Sequence, residues 1–172
     1  EPGSEDDCCS RCEKTVTVEP CGIFCTFTQG YYGNVGGKKC GGMSTTTLIN
    51  ALLTSGGPVV VGKPGRSIRL NDADCIIKRL PAGGTPMALP VAIGDLLDNC
   101  GGSADKVLNK LNLIRKDGRY TNVLIGQVVA LTLNLRLYDI GCEPDIGDLG
   151  DWTLPAEFCT MGENGCPRKH KI

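Results

Sequence analysis

The sequence predicts a single α+β domain, rich in disulfides, with short strands and about three to four helices. Eleven of the 172 residues are cysteine, and only one is histidine. Alternating β-branched runs, which are typical of strands, are interspersed with segments of helical periodicity. Because no repeat or linker separates these segments, we expect one domain at residues 21–166. An N-terminal arm (residues 1–20) precedes it and a basic tail (residues 167–172) follows it.

The cysteine density indicates an oxidising compartment, because cytosolic reductants make disulfides unstable. We therefore expect a secreted protein, extracellular or at the cell surface. The spacing Cys9-x-x-Cys12 also occurs in zinc and redox sites, but His170 is the only histidine, and disulfides are favoured. The odd count leaves one thiol buried, free or bonded to another chain, and the pairing stays open. The disulfide candidates are Cys8, Cys9, Cys12, Cys21, Cys25, Cys40, Cys75, Cys100, Cys142, Cys159 and Cys166.

The first forty residues predict an arm, two strands and a loop. Residues 15–19 alternate and are β-branched, which predicts a strand that Pro20 ends. A second alternating run at residues 23–29 predicts another strand. It breaks at Gly30 into a glycine-rich loop, for which Cys40 is the expected clamp.

The next segment predicts a helix, a hairpin and a second helix. Residues 44–54 carry an apolar stripe behind Ser44, which is suited to cap a helix. Residues 58–61 and 67–70 flank a Pro-Gly turn and predict a hairpin. Asn71 or Asp72 is suited to cap a short helix through Arg79 with Cys75 facing inward, and residues 80–86 predict a loop.

Two further helices are predicted in the second half. Ser103 is the expected cap of one that includes Ile114 and ends at residues 117–118. Residues 121–137 predict the central helix, with Leu124, Val128, Leu131 and Leu135 on one apolar stripe and Ile125 and Val129 beside it. The remainder predicts turns and a short strand around Trp152.

Candidate ligand sites are weak. The stretch from Gly37 to Ser44 approaches the phosphate-binding P-loop, but Met43 stands where the motif needs lysine, which favours an ordinary glycine loop. Asp145, Asp148 and Asp151 are weak calcium candidates, since they lack the spacing of an EF-hand loop and Asp and Gly also form turns. We expect no cofactor.

Catalytic patterns are also thin, and we expect no enzyme. The sequence has no G-x-S-x-G motif, and a triad would have to recruit His170 from the tail. A carboxylate pair such as Asp95 with Asp98 is left open. Tyr31 and Tyr32 are suited to stack on a sugar, but the chain has few other aromatic residues.

The near-zero formal charge of −1 argues against nucleic acid as a partner. No apolar run is long enough to predict a transmembrane segment. Because the sequence opens at EPGSEDD, without the pattern of a signal peptide, we expect a mature exported protein.

The run TFTQGYYGN at residues 26–34 resembles a family of exported bacterial surface domains that open with TQGYxGN, or with TQGYWKNH in more distant relatives. The likeness continues through GPVVVGKPGRSI, CIIKRLPAGGTP and NVLIGQVVALTLNLRL, and covers about residues 23–159. The resemblance implies secretion and a place outside the cell. It brings no activity, cofactor or catalytic residue, and this chain departs from the family by its extra cysteines and charged ends.

Two functions from different classes are expected. The first is a secreted structural subunit of an extracellular filament or surface layer, cross-linked by disulfides, that self-associates into a polymer through Thr15, Val16, Thr17 and Val18 of the arm. The alternative is a secreted carbohydrate-binding module or unrecognised extracellular hydrolase acting on cell-surface polysaccharide. The missing catalytic pattern and the odd cysteine favour the first.

Overall fold

The computed structural model describes residues 26–142 and, as backbone alone, two strands at residues 157–161 and 167–171. The chain divides into two compact units, residues 23–149 and residues 1–22 with 150–172. This division differs from the boundaries expected at residues 20 and 166. The expected arm strand, the calcium candidates Asp145, Asp148 and Asp151, and Trp152 lie outside the described residues.

The predicted α+β class is confirmed for the larger unit, which combines five helices with a three-stranded sheet. Its helices are α1 (Gln29–Tyr32), α2 (Thr45–Gly56), α3 (Ala73–Arg79), α4 (Gly102–Lys110) and α5 (Val123–Leu137). Its strands are β1 (Val59–Lys63), β2 (Arg66–Leu70) and β3 (Asp95–Leu97). Short 3₁₀ turns lie at Cys40–Gly42, Val91–Ile93 and Tyr138–Ile140.

The strand predicted at residues 23–29 is wrong over its described part. Residues 26–28 are irregular, and Gln29 begins the helical turn α1. Gln29 and Tyr32 are both buried, because residues three apart on a helix share a face. The seven-residue run was too short to decide between the two periods.

Helix α2 follows its prediction closely. Ser44 caps it, since its hydroxyl accepts a hydrogen bond from the Thr47 amide at 3.1 Å. The helix ends before Gly57, whose φ of 72° favours glycine. Arg136 of α5 donates to the Gly57 carbonyl at 2.6 Å and to the Pro58 carbonyl at 3.1 Å, so a cation stabilises this helix end.

The predicted hairpin is confirmed, with β1 antiparallel to β2 and Lys63 opposite Arg66 beside the turn. Strand β3 was not predicted and pairs with β2 in parallel, from Ser67↔Asp95 to Arg69↔Leu97. The Asp95 carboxylate also accepts hydrogen bonds from the Gly65 amide at 2.9 Å and the Ser67 hydroxyl at 2.7 Å. Strand order β1-β2-β3 therefore leaves β1 at one edge of the sheet.

Helix α3 begins as predicted, because the Asp72 side chain accepts a hydrogen bond from the Cys75 amide at 2.6 Å. Helix α4 differs from its prediction at both ends. Its N-cap is Gly101 rather than Ser103, and it ends at Lys110. Ile114 forms an isolated bridge with Tyr120 instead of continuing the helix.

The apolar stripe predicted for α5 does not form its buried face, whereas Ile125 and Val129, predicted beside that stripe, are buried. Leu124, Leu131 and Leu135 are 44, 52 and 40% exposed. The buried face instead carries Ile125, Gly126, Val129, Ala130, Leu133, Asn134 and Leu137. Because α5 is apolar almost all round, periodicity alone could not show which side faces the core.

The core of the larger unit lies where α2 and α5 pack against the hairpin and α3. Two disulfides brace it, Cys40–Cys142 and Cys75–Cys100, with Cα–Cα distances of 5.6 and 5.3 Å. Cys40 is thus a clamp, as predicted. The side chains of the other seven cysteines lie outside the described residues.

The described part of the smaller unit is a hairpin of β4 (Glu157–Met161) and β5 (Pro167–Lys171). The two strands are antiparallel, with Phe158 opposite His170. Residues expected to form a basic tail therefore form a strand. In the described part of the chain, no helix combines the length and apolar character needed to cross a membrane.

Candidate functional site

Several ionisable groups with perturbed pKa values form a buried network around Arg79, at the end of α3. Its Nε and Nη2 each lie 2.7 Å from an Asp98 carboxylate oxygen. The Tyr120 hydroxyl donates to Asp98 at 2.6 Å, and Arg79 also contacts Asp105 and the Gly118 carbonyl. Arg79, Asp98 and Tyr120 are all fully buried.

Burial alone would raise the pKa of Asp98, but the hydrogen bonds from Arg79 and Tyr120 outweigh it and lower that pKa. Burial, with the adjacent Asp98 charge, raises the pKa of the Tyr120 hydroxyl well above its ordinary value. Among the described residues no buried side-chain polar atom lacks a hydrogen-bond partner. Such a satisfied, enclosed network fixes α3 to the segments that follow it, and we interpret it as structural.

The carboxylate pair left open by the sequence, Asp95 with Asp98, does not form a shared site. Asp98 is held by Arg79 and Tyr120, whereas Asp95 is exposed and tied to the hairpin turn. Hydrogen bonds from Ser67 and Gly65 lower the pKa of Asp95. Cys75, Asp98 and Cys100 place possible ligand atoms within 4.8 Å of one another, but the two sulfurs are joined as a disulfide and are not thiolates.

The TFTQGYYGN run is part of the scaffold. The Gln29 side chain accepts a hydrogen bond from the Ala82 amide at 2.8 Å, and the buried Tyr32 hydroxyl donates to Asn134 at 3.1 Å. Asn134 also binds the Phe27 amide and carbonyl, both at 2.8 Å. These contacts link α1 to the loop after α3, and link both α1 and Phe27 to α5.

Tyr31 and Tyr32, the residues suited to stack on a sugar, both make contacts within the fold. Tyr32 is fully buried, and the Tyr31 ring stacks on Phe27 at 3.9 Å between centroids. Lys39 places its ammonium 4.2 Å from the Tyr31 ring centroid. In the nearby glycine loop the Lys39 amide donates to the Met43 carbonyl at 2.8 Å, which closes the loop on itself.

A cavity of about 400 Å³ lies beside the β1–β2 hairpin, and we call it the hairpin cavity. Its wall comes from three segments distant in sequence, and most of its lining is apolar. The residues are Val61, Gly62, Lys63, Arg66, Met87, Ala88, Leu89, Leu124, Ile125 and Val128. This volume is within the range of natural binding cavities, about 300–1,000 Å³.

Two cations, Lys63 and Arg66, lie at the turn end of the hairpin cavity. Arg66 donates through Nε to the Leu89 carbonyl, which also fixes the 87–89 segment to the hairpin. Neither cation takes part in any ion pair of the described residues. The site therefore combines an apolar wall with unneutralised positive charge.

The apolar wall continues onto the surface. The apolar face of α5, formed by Leu124, Val128, Leu131 and Leu135, begins in the hairpin cavity and runs along the helix. Met87, which is 52% exposed, extends this surface from the 87–89 segment of the cavity wall. Clustered exposed side chains of this kind mark interaction surfaces more often than isolated ones do.

Strand β1 also offers an open backbone edge. Because Lys63 and Arg66 close the two-residue turn, the ladder alternation directs the amide and carbonyl groups of Val60 and Gly62 away from β2. No described hydrogen bond outside the ladder uses them. Gly62, with a φ of 111°, leaves no room for a side chain, since a Cβ there would meet the Arg66 carbonyl.

No local motif in the sequence indicates this site, because its residues meet only in the fold. The apolar circumference of α5 was the one available signal, since a helix with no polar side either is fully buried or binds something. Comparisons with protein-family models, with curated proteins and with solved structures find no match for this chain. The resemblance carried by residues 26–34 therefore stays a prediction.

Proposed function

We propose that this chain is a secreted structural protein that joins to further copies of itself, as the subunit of an extracellular filament or surface layer. The observation that carries the proposal is the open edge of β1 beside the apolar hairpin cavity. An uncovered strand edge is a ready template for pairing with another chain, and soluble proteins usually protect it. Strand addition between identical subunits propagates unless rotation closes a ring.

The disulfides support a role outside the cell. Cys40–Cys142 ties residues 102 positions apart, and Cys75–Cys100 ties α3 to the segment that precedes α4. Bridges of this kind persist in oxidising compartments, where they stabilise the folded domain. An extracellular subunit needs that durability, whereas the described contacts supply no chemistry for turnover.

The alternative, a carbohydrate-binding module or hydrolase, has weaker support. The tyrosines expected to stack on a sugar are used within the fold, and Asp95 and Asp98 each have structural partners. The hairpin cavity is lined mainly by aliphatic side chains, which offer few hydrogen bonds to sugar hydroxyls. We therefore favour assembly over glycan recognition.

Negative-stain electron microscopy of the native protein at low and high concentration tests the proposal. We expect ordered filaments or sheets whose number grows with concentration. A matched sample of the Val60→Lys variant is the control, because an exposed lysine on an edge strand opposes pairing without disturbing the core. Single dispersed particles at every concentration would refute the proposal.

A further inference from the structure

We propose that the hairpin cavity and the β1 edge receive residues 13–19 of a second copy of the chain as an added strand, an inference that rests on the proposed self-assembly. The occupant is identified by three properties of the site. The site has unpaired backbone groups on β1, an apolar cavity wall and two cations without an ion-pair partner among the described residues.

The backbone edge requires an extended partner. Val60 and Gly62 lie on the edge strand and direct their amide and carbonyl groups away from β2. A chain laid along β1 would pair with these groups and extend the sheet to four strands. Both residues are exposed, so the edge is accessible in the described domain.

The apolar wall requires side chains on one side of that partner. In EKTVTVE, at residues 13–19, Val16 and Val18 are two positions apart. In an extended strand they share a face about 7 Å apart, with the threonines on the other face. Two β-branched side chains at this spacing suit the wall formed by Val61, Leu89 and Leu124.

Charge complementarity distinguishes the arm from other extended segments. Residues 26–142 contain thirteen Lys and Arg against seven Asp and no Glu. Residues 1–25 contain six Asp and Glu against two Lys and Arg. Glu13 and Glu19 lie at the two ends of the segment, on the face opposite the valines, so either strand direction brings one negative charge near Lys63 and Arg66, which attracts them without direct contact.

A labelled synthetic peptide of residues 13–20, EKTVTVEP, is the probe, with EKTSTSEP as the matched control peptide. Binding to the full chain is measured by fluorescence anisotropy at a protein concentration below that of assembly. We expect the Lys63→Glu and Leu124→Glu variants to bind at least about tenfold more weakly than the wild type. Lys110→Glu on α4 and Leu131→Glu on the apolar face of α5, both outside the cavity, should bind within about twofold of it.

Hydrogen exchange supplies a readout that a change in folding would not mimic. Strand addition should slow exchange of the β1 amides when EKTVTVEP is added, and leave α4 amides unchanged. Thermal melting of each variant identifies any that is unfolded. The hydrogen-exchange test uses the wild-type protein and therefore does not depend on the variants.

The outcomes separate this inference from the proposed function. If the native protein assembles but substitutions at Lys63, Leu124 and Val16/Val18 do not change peptide binding, the proposed acceptor site is wrong. The proposed self-assembly would be unaffected by that result. Native protein that never associates would overturn the proposed function and the second copy as occupant, whatever the peptide does. Equal binding of EKTSTSEP would overturn the role of the two valines.

Discussion

At the scale of single residues, the buried side-chain amide of Asn134 connects α5 to Phe27 and to Tyr32 of α1. Its Oδ1 accepts from the Phe27 amide and the Tyr32 hydroxyl, and its Nδ2 donates to the Phe27 and Ala130 carbonyls. All four hydrogen-bonding positions of the side chain are thus used. The TFTQGYYGN run owes its position to this residue, which lies about a hundred residues away in α5.

We expect Asn134→Ala to lower the free energy of unfolding by about 2–4 kcal/mol, because it leaves several buried groups without partners. Urea denaturation monitored by circular dichroism measures the change. Asn50→Ala on the exposed side of α2 is the matched control, and it should stay within about 0.5 kcal/mol of wild type. Equal effects of the two substitutions would show that the Asn134 amide is not essential.

Asp98 gives a pH dependence with a definite sign. Its pKa is lowered in the folded protein, so the carboxylate stabilises the fold above its unfolded pKa of about 3.9, and that contribution is lost as pH falls through the folded value. Asp98→Asn removes the buried carboxylate partner of Arg79 and leaves it only the partly exposed Asp105, which we expect to cost up to about 3–5 kcal/mol at pH 7.

Chemical denaturation of the Asp98→Asn variant from pH 7 to pH 2 tests this expectation. The variant should lose less stability in acid than the wild type, since it has no carboxylate to protonate at this position. Asp117→Asn, at an exposed ion pair with Arg115, is the control and should change stability by about 0–1 kcal/mol. Parallel acid profiles for wild type and Asp98→Asn would contradict the assignment.

At the scale of elements, the close approach of α5 to α1 depends on Gly126. A Cβ at this position would collide with the Gln29 side-chain amide and the Ala82 methyl group. We expect Gly126→Ala to destabilise the fold by about 1–3 kcal/mol, although alanine favours a helix by about 1 kcal/mol.

Thermal melting measures this effect against Gly102→Ala in the first turn of α4. A Cβ at Gly102 has no neighbouring atom within 4 Å, so this variant should be neutral or slightly more stable. Stabilisation by both substitutions would show that α5 does not pack closely on α1.

Elements with signals at their ends were predictable from the sequence. The Ser44 and Asp72 caps and the turn at Pro64-Gly65 lie within a few residues of the structures that they define, so α2, α3 and the hairpin were found. Strand β3 is three residues long and exists because Ser67 and its neighbours provide a partner, which no local pattern reveals.

Which face of a helix is buried was harder to predict from the sequence than the presence of the helix. Helix α5 was expected, but its buried side was not, because leucine and valine occur all around it. What selects the buried side is tertiary: Gly126 and Ala130 permit close contact, and Asn134 supplies the hydrogen bonds. The same ambiguity concealed the hairpin cavity, since an apolar stripe that contains Leu124 and Val128 does not show whether it faces the core or a cavity.

At the scale of the whole molecule, the two described disulfides constrain very different lengths of chain. Cys40–Cys142 spans 102 residues, and Cys75–Cys100 spans 25. Removal of either bridge should lower stability by about 2–5 kcal/mol, and loss of the longer one should cost about 1 kcal/mol more because it frees more chain in the unfolded state.

Paired alanine variants, Cys40→Ala/Cys142→Ala and Cys75→Ala/Cys100→Ala, allow the comparison by denaturant titration. The wild type in strong reductant should melt well below the oxidised protein. Identical melting with and without reductant, together with eleven titratable thiols, would overturn the oxidising compartment as well as the bridges.

Self-association is tested most directly by sedimentation velocity of the full chain over a range of concentrations, alongside the Val16→Ser/Val18→Ser variant. We expect the wild type to shift progressively to faster-sedimenting species, and the variant to stay near the 18.2 kDa monomer over the same range. A wild type that sediments as a monomer at every concentration would contradict assembly, and identical assembly of the variant would contradict the arm as its connector.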